Sequence, residues 1–251
     1  MRPQFVCFGD SITQRGFAVG GWTARLADTY GRRVDVINRG YSGYNTAKCL
    51  HLLPAVFPAG SPAPLLVTVF LGANDASLAD RHSSQHHVPL EKYAAHLRRI
   101  VAHVRTTYAA APPAVVLVTP PPVDEAARQR ANHERWGSPL DQPSERTCEV
   151  TGRYAGVVRE LGVELGCPVV DTFARFQESP GWRDTHLNDG LHFAPDGDAA
   201  LHSLLLEAIA RELPHLVHTS LPYDFPEWSE VDADDPASFK RNVMLSGDGR
   251  S

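Results

Sequence analysis

Leu65-Leu66-Val67-Thr68-Val69-Phe70-Leu71 is apolar at almost every position. A strand with one face in water alternates apolar and polar residues, and one covered on both faces does not. The run therefore predicts a central strand, and it ends on Gly72-Ala73-Asn74-Asp75. Ala114-Val115-Val116-Leu117-Val118-Thr119 is a second run of this kind. Phe5 to Phe8 predicts another strand. Val34 to Ile37 predicts one nearer an edge, because it carries Asp35, and Pro168 to Asp171 a short fifth.

Amphipathic segments lie between these runs. Trp22, Leu26 and Tyr30 stand four residues apart and share one helical face. Ala47 to Val56 also reads as helix. Leu90 to Tyr108 sets Tyr93, Leu97, Ile100, Val101 and Val104 on one stripe. A further helix is predicted from about Ser144 to Leu165, and a last one from near Pro195 to about Leu213. Strands alternating with helices of this length imply an α/β fold with a parallel sheet. Right-handed crossovers then place helices on both faces. Ligand sites in such sheets lie beyond the carboxyl ends of the strands. Chemistry is therefore expected just after Phe8, Ile37, Leu71, Thr119 and Asp171.

The chain has 251 residues, which suits one domain with a tail. With 43% hydrophobic and 21% charged residues, the composition is that of an ordinary globular protein. A net charge of -5 gives no attraction to nucleic acid or to an anionic membrane. No apolar run of about 18 residues suggests a membrane span. The first residues enter a strand at once, without room for a signal peptide, so a cytoplasmic location is expected. Cys7, Cys49, Cys148 and Cys167 show no Cys-x-x-Cys spacing and read as reduced thiols.

Two segments break the alternation. Ala79 to Pro89 is polar, carries His82, His86 and His87, and reads as a loop. From Thr219 the chain turns Pro-rich and acidic, yet keeps Tyr223, Phe225, Trp228 and Phe239, too many aromatics for a disordered tail. We expect a domain over residues 1–218 and an extension over 219–251 that packs on the domain or on a partner subunit, the latter giving a homodimer.

Each predicted strand end carries glycines and polar residues that a plain core would not need. Strand one runs into Gly9-Asp10-Ser11-Ile12-Thr13, strand two into Asn38-Arg39-Gly40-Tyr41, and a late segment reads Asn188-Asp189-Gly190-Leu191-His192. A serine hydroxyl is a poor nucleophile until an imidazole takes its proton. Ser11 can be that nucleophile and His192 that base. Asp189, three residues earlier in a glycine-containing turn, can accept from the imidazole Nδ1–H and fix its tautomer. Oxyanion donors would be the backbone N–H of Ser11, the backbone N–H of Gly40 and the side-chain amide of Asn74. This chemistry requires neither metal nor cofactor.

Singly, each signal has a plainer reading. Gly-Asp-Ser is usually a turn, Asp-x-x-His a surface pair, Asn74 a helix cap and Gly40 a turn glycine. Their joint occurrence at strand ends favours the chemical reading. Asp10 and Asp75 are expected to hold their loops by accepting from backbone N–H groups. Trp22, Tyr44 and Pro121 are candidates for lining a substrate pocket, with Trp22 and Tyr44 at least as plausible as core anchors. Thr119-Pro120-Pro121-Pro122 could equally be a rigid turn, one that could include a cis proline. The three histidines are expected to be solvated, and Cys7, inside a strand, is a poor nucleophile candidate.

Phe8-Gly9-Asp10-Ser11-Ile12-Thr13, Asn38-Arg39-Gly40, Gly72-Ala73-Asn74-Asp75 and Asp189-Gly190-Leu191-His192 together resemble the four sequence blocks of the SGNH or GDSL hydrolase family. The resemblance implies a flavodoxin-like three-layer sandwich with strand order 2-1-3-4-5 and catalytic roles for Ser11, Asp189 and His192. Asn38 to Thr46, Thr119 to Pro122 and Asn188 to His192 are also similar to the isoamyl acetate-hydrolysing esterase branch. That implies a small-molecule ester as substrate, with acetates of short- to medium-chain alcohols foremost. The same machinery in a lysophospholipase, a thioesterase or a carbohydrate deacetylase, and a catalytically silent binding protein, are the rival expectations.

Overall fold

In a computed structural model, which describes residues 2–240, the run that opens the sequence analysis forms β3 (Leu66–Phe70), buried at all five positions. Its neighbours are β1 (Gln4–Gly9) and β4 (Ala114–Val118), while β2 (Asp35–Gly40) and β5 (Val169–Val170) form the edges. Every pairing is parallel and the order is β2-β1-β3-β4-β5. The chain therefore has the expected doubly wound sandwich, with β2, the strand carrying Asp35, at an edge.

Ten α-helices complete the described residues. They are α1 (Ser11–Gln14), α2 (Trp22–Thr29), α3 (Thr46–Leu50), α4 (Leu53–Val56), α5 (Leu90–Thr107), α6 (Glu125–Trp136), α7 (Cys148–Leu165), α8 (Thr172–Gln177), α9 (Trp182–Thr185) and α10 (Pro195–Glu212). Alternation along the central strands divides the core in two. Val6, Phe8, Val67 and Val69 face Leu97, Ile100, Tyr154 and Leu161 from α5 and α7. Phe5, Cys7, Leu66 and Phe70 face Trp22, Leu26, Leu201 and Leu205 from α2 and α10. Each such side chain, fully buried, contributes roughly 1.5–3 kcal/mol.

The predicted elements differ from the observed ones in several places, the unpredicted short helices α8 and α9 among them. The helix expected over Ala47 to Val56 is split into α3 and α4, with Pro54 in the first turn of α4, where its missing N–H costs nothing. The helix expected from Ser144 begins only at Cys148, because Thr147 caps it by accepting from the Val150 N–H at 3.1 Å. The loop at 79–89 contains one turn of 3-10 helix, Ser84–His86. Helix α6 lies where no element was predicted. Its inward residues are Gln129 and Asn132, so it lacks the apolar stripe that marks a helix in sequence.

Strand register sets the functional edge. Gly9 pairs with both Gly40 and Phe70, so β1, β2 and β3 end level with one another. The segments carrying Ser11, Gly40 and Asn74 leave the sheet side by side. At the opposite, amino-terminal edge, residues 223–227 lie against arginines near the starts of β1 and β2. Arg2 pairs with Asp224 at 2.6 Å and with Asp35 at 2.7 Å, and Arg32 pairs with Glu227 at 3.0 Å. The Tyr223 ring lies under the Arg32 and Arg33 guanidinium groups, 4.5 and 3.9 Å from its centroid. The Gly/Ser ending lies outside the described residues.

Candidate active site

Gly9 ends β1, and Asp10 caps the short helix that follows by accepting from the Ile12 N–H at 3.0 Å. Ser11 is the first residue of that helix, where the backbone N–H has no intrahelical acceptor. Its Oγ stands 2.9 Å from His192 Nε2. His192 Nδ1 lies 2.7 Å from Asp189 Oδ2. The other carboxylate oxygen, Oδ1, accepts from the backbone N–H of His192 at 2.8 Å and of Leu191 at 3.1 Å. The carboxylate thus folds its own loop into a turn while it faces the imidazole. Gly190 makes the turn at φ +77°, and a Cβ there would come within 2.4 Å of the Arg128 nitrogen and the Asp124 oxygen of the α6 backbone. Only glycine lets this loop seat against α6.

Asn74 is buried beside β3. Its Nδ2 donates to Tyr44 O at 2.9 Å and its Oδ1 accepts from Arg146 Nη2 at 3.1 Å. A guanidinium is donor-only and a carbonyl acceptor-only, so these two partners fix which way round the amide lies. Gly40 differs from the expectation. A Cβ there would fall 2.0 Å from Gln14 N, so glycine is needed for α1 to cross β2. Its N–H, however, donates to the side chain of Asn38 at 2.9 Å and is not an uncommitted donor here. Asn38 Nδ2 in turn donates to Thr13 O at 2.6 Å, which ties the end of β2 to α1.

Three residues that the sequence analysis did not single out complete the arrangement. Arg128 of α6 donates to Asp189 Oδ2 at 3.2 Å and to Glu145 Oε1 at 2.9 Å. Arg146 donates to Ala73 O at 2.7 Å, to Asn74 and to Glu145. Glu145 Oε2 also accepts from Asn132 Nδ2 at 2.6 Å. The sequence did hold a signal for α6: Asp124 at the N-cap, and Gly137 at the C-terminal cap with φ +68°.

Burial sets the electrostatics. It pushes the Asp189 carboxyl up, but hydrogen bonds and charge from His192, with Arg128 beyond, outweigh this and hold it well below the usual carboxylate range. His192 lies below its ordinary value, because burial, Arg15 and Arg128 outweigh the attraction of Asp189. Asp10, fully buried, is pushed up to about 7, and Asp75 to about 6. Asp75 accepts from the Thr46 N–H at 3.0 Å and from the Thr46 hydroxyl. Both acids thus hold loops through backbone N–H groups.

The other candidates fall into two groups. Trp22 has no exposed surface and stacks edge-on against Phe70, so it is a core anchor and presents nothing to a ligand. Cys7 is equally buried and its thiol is pushed up to about 12. Tyr44 is half-buried beside Asn74 and Tyr41. Pro121 is buried after β4, in a segment with only trans peptide bonds. Of the three histidines, His87 Nδ1 is bound to Ser77 O at 2.7 Å. No group of three or more His, Cys, Asp or Glu side chains among the described residues is arranged to hold a metal ion. None of these helices is long and apolar enough to cross a membrane.

A model of the GDSL-like lipase/acylhydrolase family matches residues 7–200. The chain belongs to this family. A GDSL esterase/lipase of Arabidopsis thaliana is 42% identical over 94% of this chain and 97% of its own. The isoamyl acetate-hydrolyzing esterase 1 homolog of Homo sapiens is 37% identical over 98% of this chain and 93% of its own. Among solved structures, a lipase/acylhydrolase from Enterococcus faecalis superposes with a TM-score of 0.62 at 26% identity, over 89% of this chain and 98% of that one. The protein is accordingly a carboxylic ester hydrolase.

Proposed function

We propose that the protein is a serine esterase acting on small carboxylic esters, foremost acetates of short- to medium-chain alcohols, through an acyl-enzyme on Ser11. The observation that carries this reading is the unbroken line from Asp189 to His192 to Ser11, with spacings of 2.7 and 2.9 Å. The acetate preference draws on the similarity to the isoamyl acetate-hydrolyzing esterase homolog.

In this reading Ser11 Oγ attacks the ester carbonyl as His192 Nε2 takes its proton. The bond from carbonyl carbon to Ser11 forms, and negative charge gathers on the former carbonyl oxygen. The Ser11 N–H and the second hydrogen of Asn74 Nδ2 meet that charge. The Gly40 N–H joins them when the Asn38 side chain releases it. Asp189 remains ionised and stabilises the imidazolium without taking its proton. The imidazolium then gives the proton to the departing alkoxide, the carbon–oxygen bond to the alcohol breaks, and the acyl group stays on Ser11. Water, deprotonated by His192, attacks the acyl carbon. The acid leaves and Ser11 recovers its proton.

Ser11→Ala tests the reading. We expect loss of p-nitrophenyl acetate hydrolysis by a factor on the order of 10⁴–10⁶, with an unchanged fold by circular dichroism. Retained turnover would overturn the nucleophile assignment. An ester panel varied separately in acyl and alcohol parts tests the substrate. Preference for long acyl chains, or for acetylated sugars only, would replace the small-ester reading.

A further inference from the structure

Glu145 is a carboxylate with a fully buried side chain, held between two arginines. Each arginine reaches a different part of the candidate site. Arg128 bridges Glu145 and Asp189, and Arg146 bridges Glu145 and Asn74. We propose that Glu145 is a positioning residue that couples the base and the oxyanion amide, setting both through this pair of arginines. The proposal rests on the serine esterase reading and deepens it.

The argument starts from charge. A buried guanidinium without a partner costs several kcal/mol, so Arg146, 3% exposed, is in place only because Glu145 neutralises it. Its planar fork then meets three acceptors at once: Glu145, Ala73 O and Asn74 Oδ1. That last bond holds the Asn74 oxygen away from the site and leaves Nδ2 to face a developing oxyanion. An amide turned the other way would present an acceptor to negative charge. On the other side, Arg128 puts a second donor on the oxygen of Asp189 that faces His192 Nδ1. It favours the ionised carboxylate and opposes early protonation of the imidazole. The groups facing His192 are Ser11, Asp189 on its own loop, Arg15 after α1 and Arg128 of α6. Glu145 is itself anchored: its carbonyl accepts from the Leu78 N–H at 2.9 Å and Asn132 holds its second oxygen. The segment before α7 is thereby drawn inward and does not join the helix.

The test is Glu145→Gln, measured as kcat per site titrated with a fluorophosphonate, in three backgrounds. In the parent we expect a loss of about tenfold, and in Asn74→Ala or Arg128→Met only about threefold each, since one arm is already gone. The same tenfold in all three backgrounds, or no loss in the parent, overturns the proposal. A general loss of folded protein would lower the titrated sites and leave kcat per site unchanged. Glu145→Asp, which keeps the charge, should recover part of the loss.

The two arms also separate by pH. Arg128→Met should move the acid limb of kcat/KM upward by about half a unit, because a cation near His192 is lost. Arg146→Lys should leave that limb in place and lower kcat. If Glu145→Gln does not fold, Arg146→Lys decides alone: it should cost turnover in the parent and nothing in Asn74→Ala, and equal costs in both would overturn the coupling. If Ser11 takes no fluorophosphonate label in the parent protein, it is the serine reading that fails, which keeps the two failures distinct.

Discussion

At the amino-terminal edge of the sheet, Arg2 and Arg32 pair with Asp224 and Glu227, and these four side chains keep 14–42% of their surface in water. At the carboxyl edge, Glu145 and Arg146 keep 0–3%. The chemistry is the same, an arginine on a carboxylate, but the cost of losing a partner differs. An exposed pair is worth about 0.2–1 kcal/mol, since water replaces whichever partner is lost. A buried pair broken on one side leaves a charge that nothing solvates. Residues 223–227 are thus fastened by weak, exposed pairs, and the site by a few buried ones that must all be present.

The largest expected effect comes from removing the shared carboxylate. Glu145→Ala should lower the unfolding free energy in urea by about 3–5 kcal/mol. A loss below about 1 kcal/mol would make the two edges alike. Next in size is Asn74→Ala, which should reduce kcat/KM by about 10²–10³ while its melting temperature changes less than that of Glu145→Ala.

Asp10→Asn sharpens the comparison through pH. The Asp10 carboxyl titrates near pH 7 in the folded protein, far above its ordinary value. Below about pH 4 it is protonated in both folded and unfolded chains and adds no pH dependence. As pH rises toward 7, the unfolded chain ionises first and wild-type stability falls. Asp10→Asn escapes this, so its melting temperature relative to wild type should climb from pH 4 to 7. A flat difference would mean that Asp10 is ionised in the fold. The smallest effect belongs to the other edge. Arg32→Ala should cost no more than about 1 kcal/mol and leave turnover unchanged. A large loss would show that the extension is part of the core.

The sequence made the sheet legible because β3 and β4 are apolar on both faces, and β2 betrayed its edge position by Asp35. The residues of the line from Ser11 to His192 each stand within two residues of a glycine, at a strand end or in a late turn, and could be picked out on that ground. Helix α6 and the segment Ser144 to Arg146 were not. Periodicity reports apolar burial, and these segments are fixed by polar burial: Gln129 against Pro139 O, Asn132 and both arginines against Glu145. A charged residue whose partner is distant in sequence looks the same as one in solvent. The engaged N–H of Gly40 was equally hidden, because it depends on how Asn38 is turned.

Ser11 and His192 meet across 181 residues of sequence. In the serine reading we propose, a chain emerging from the ribosome therefore makes its nucleophile early and its base late, with β2 to β5 in between. On that reading, until α10 and the loop before it have docked, Ser11 is an ordinary hydroxyl and an incomplete chain hydrolyses nothing by this route. Closing so long a loop is slow compared with local helix formation. The onset of esterase activity during refolding should thus mark the last step of assembly, and turnover becomes a clock for the completed fold.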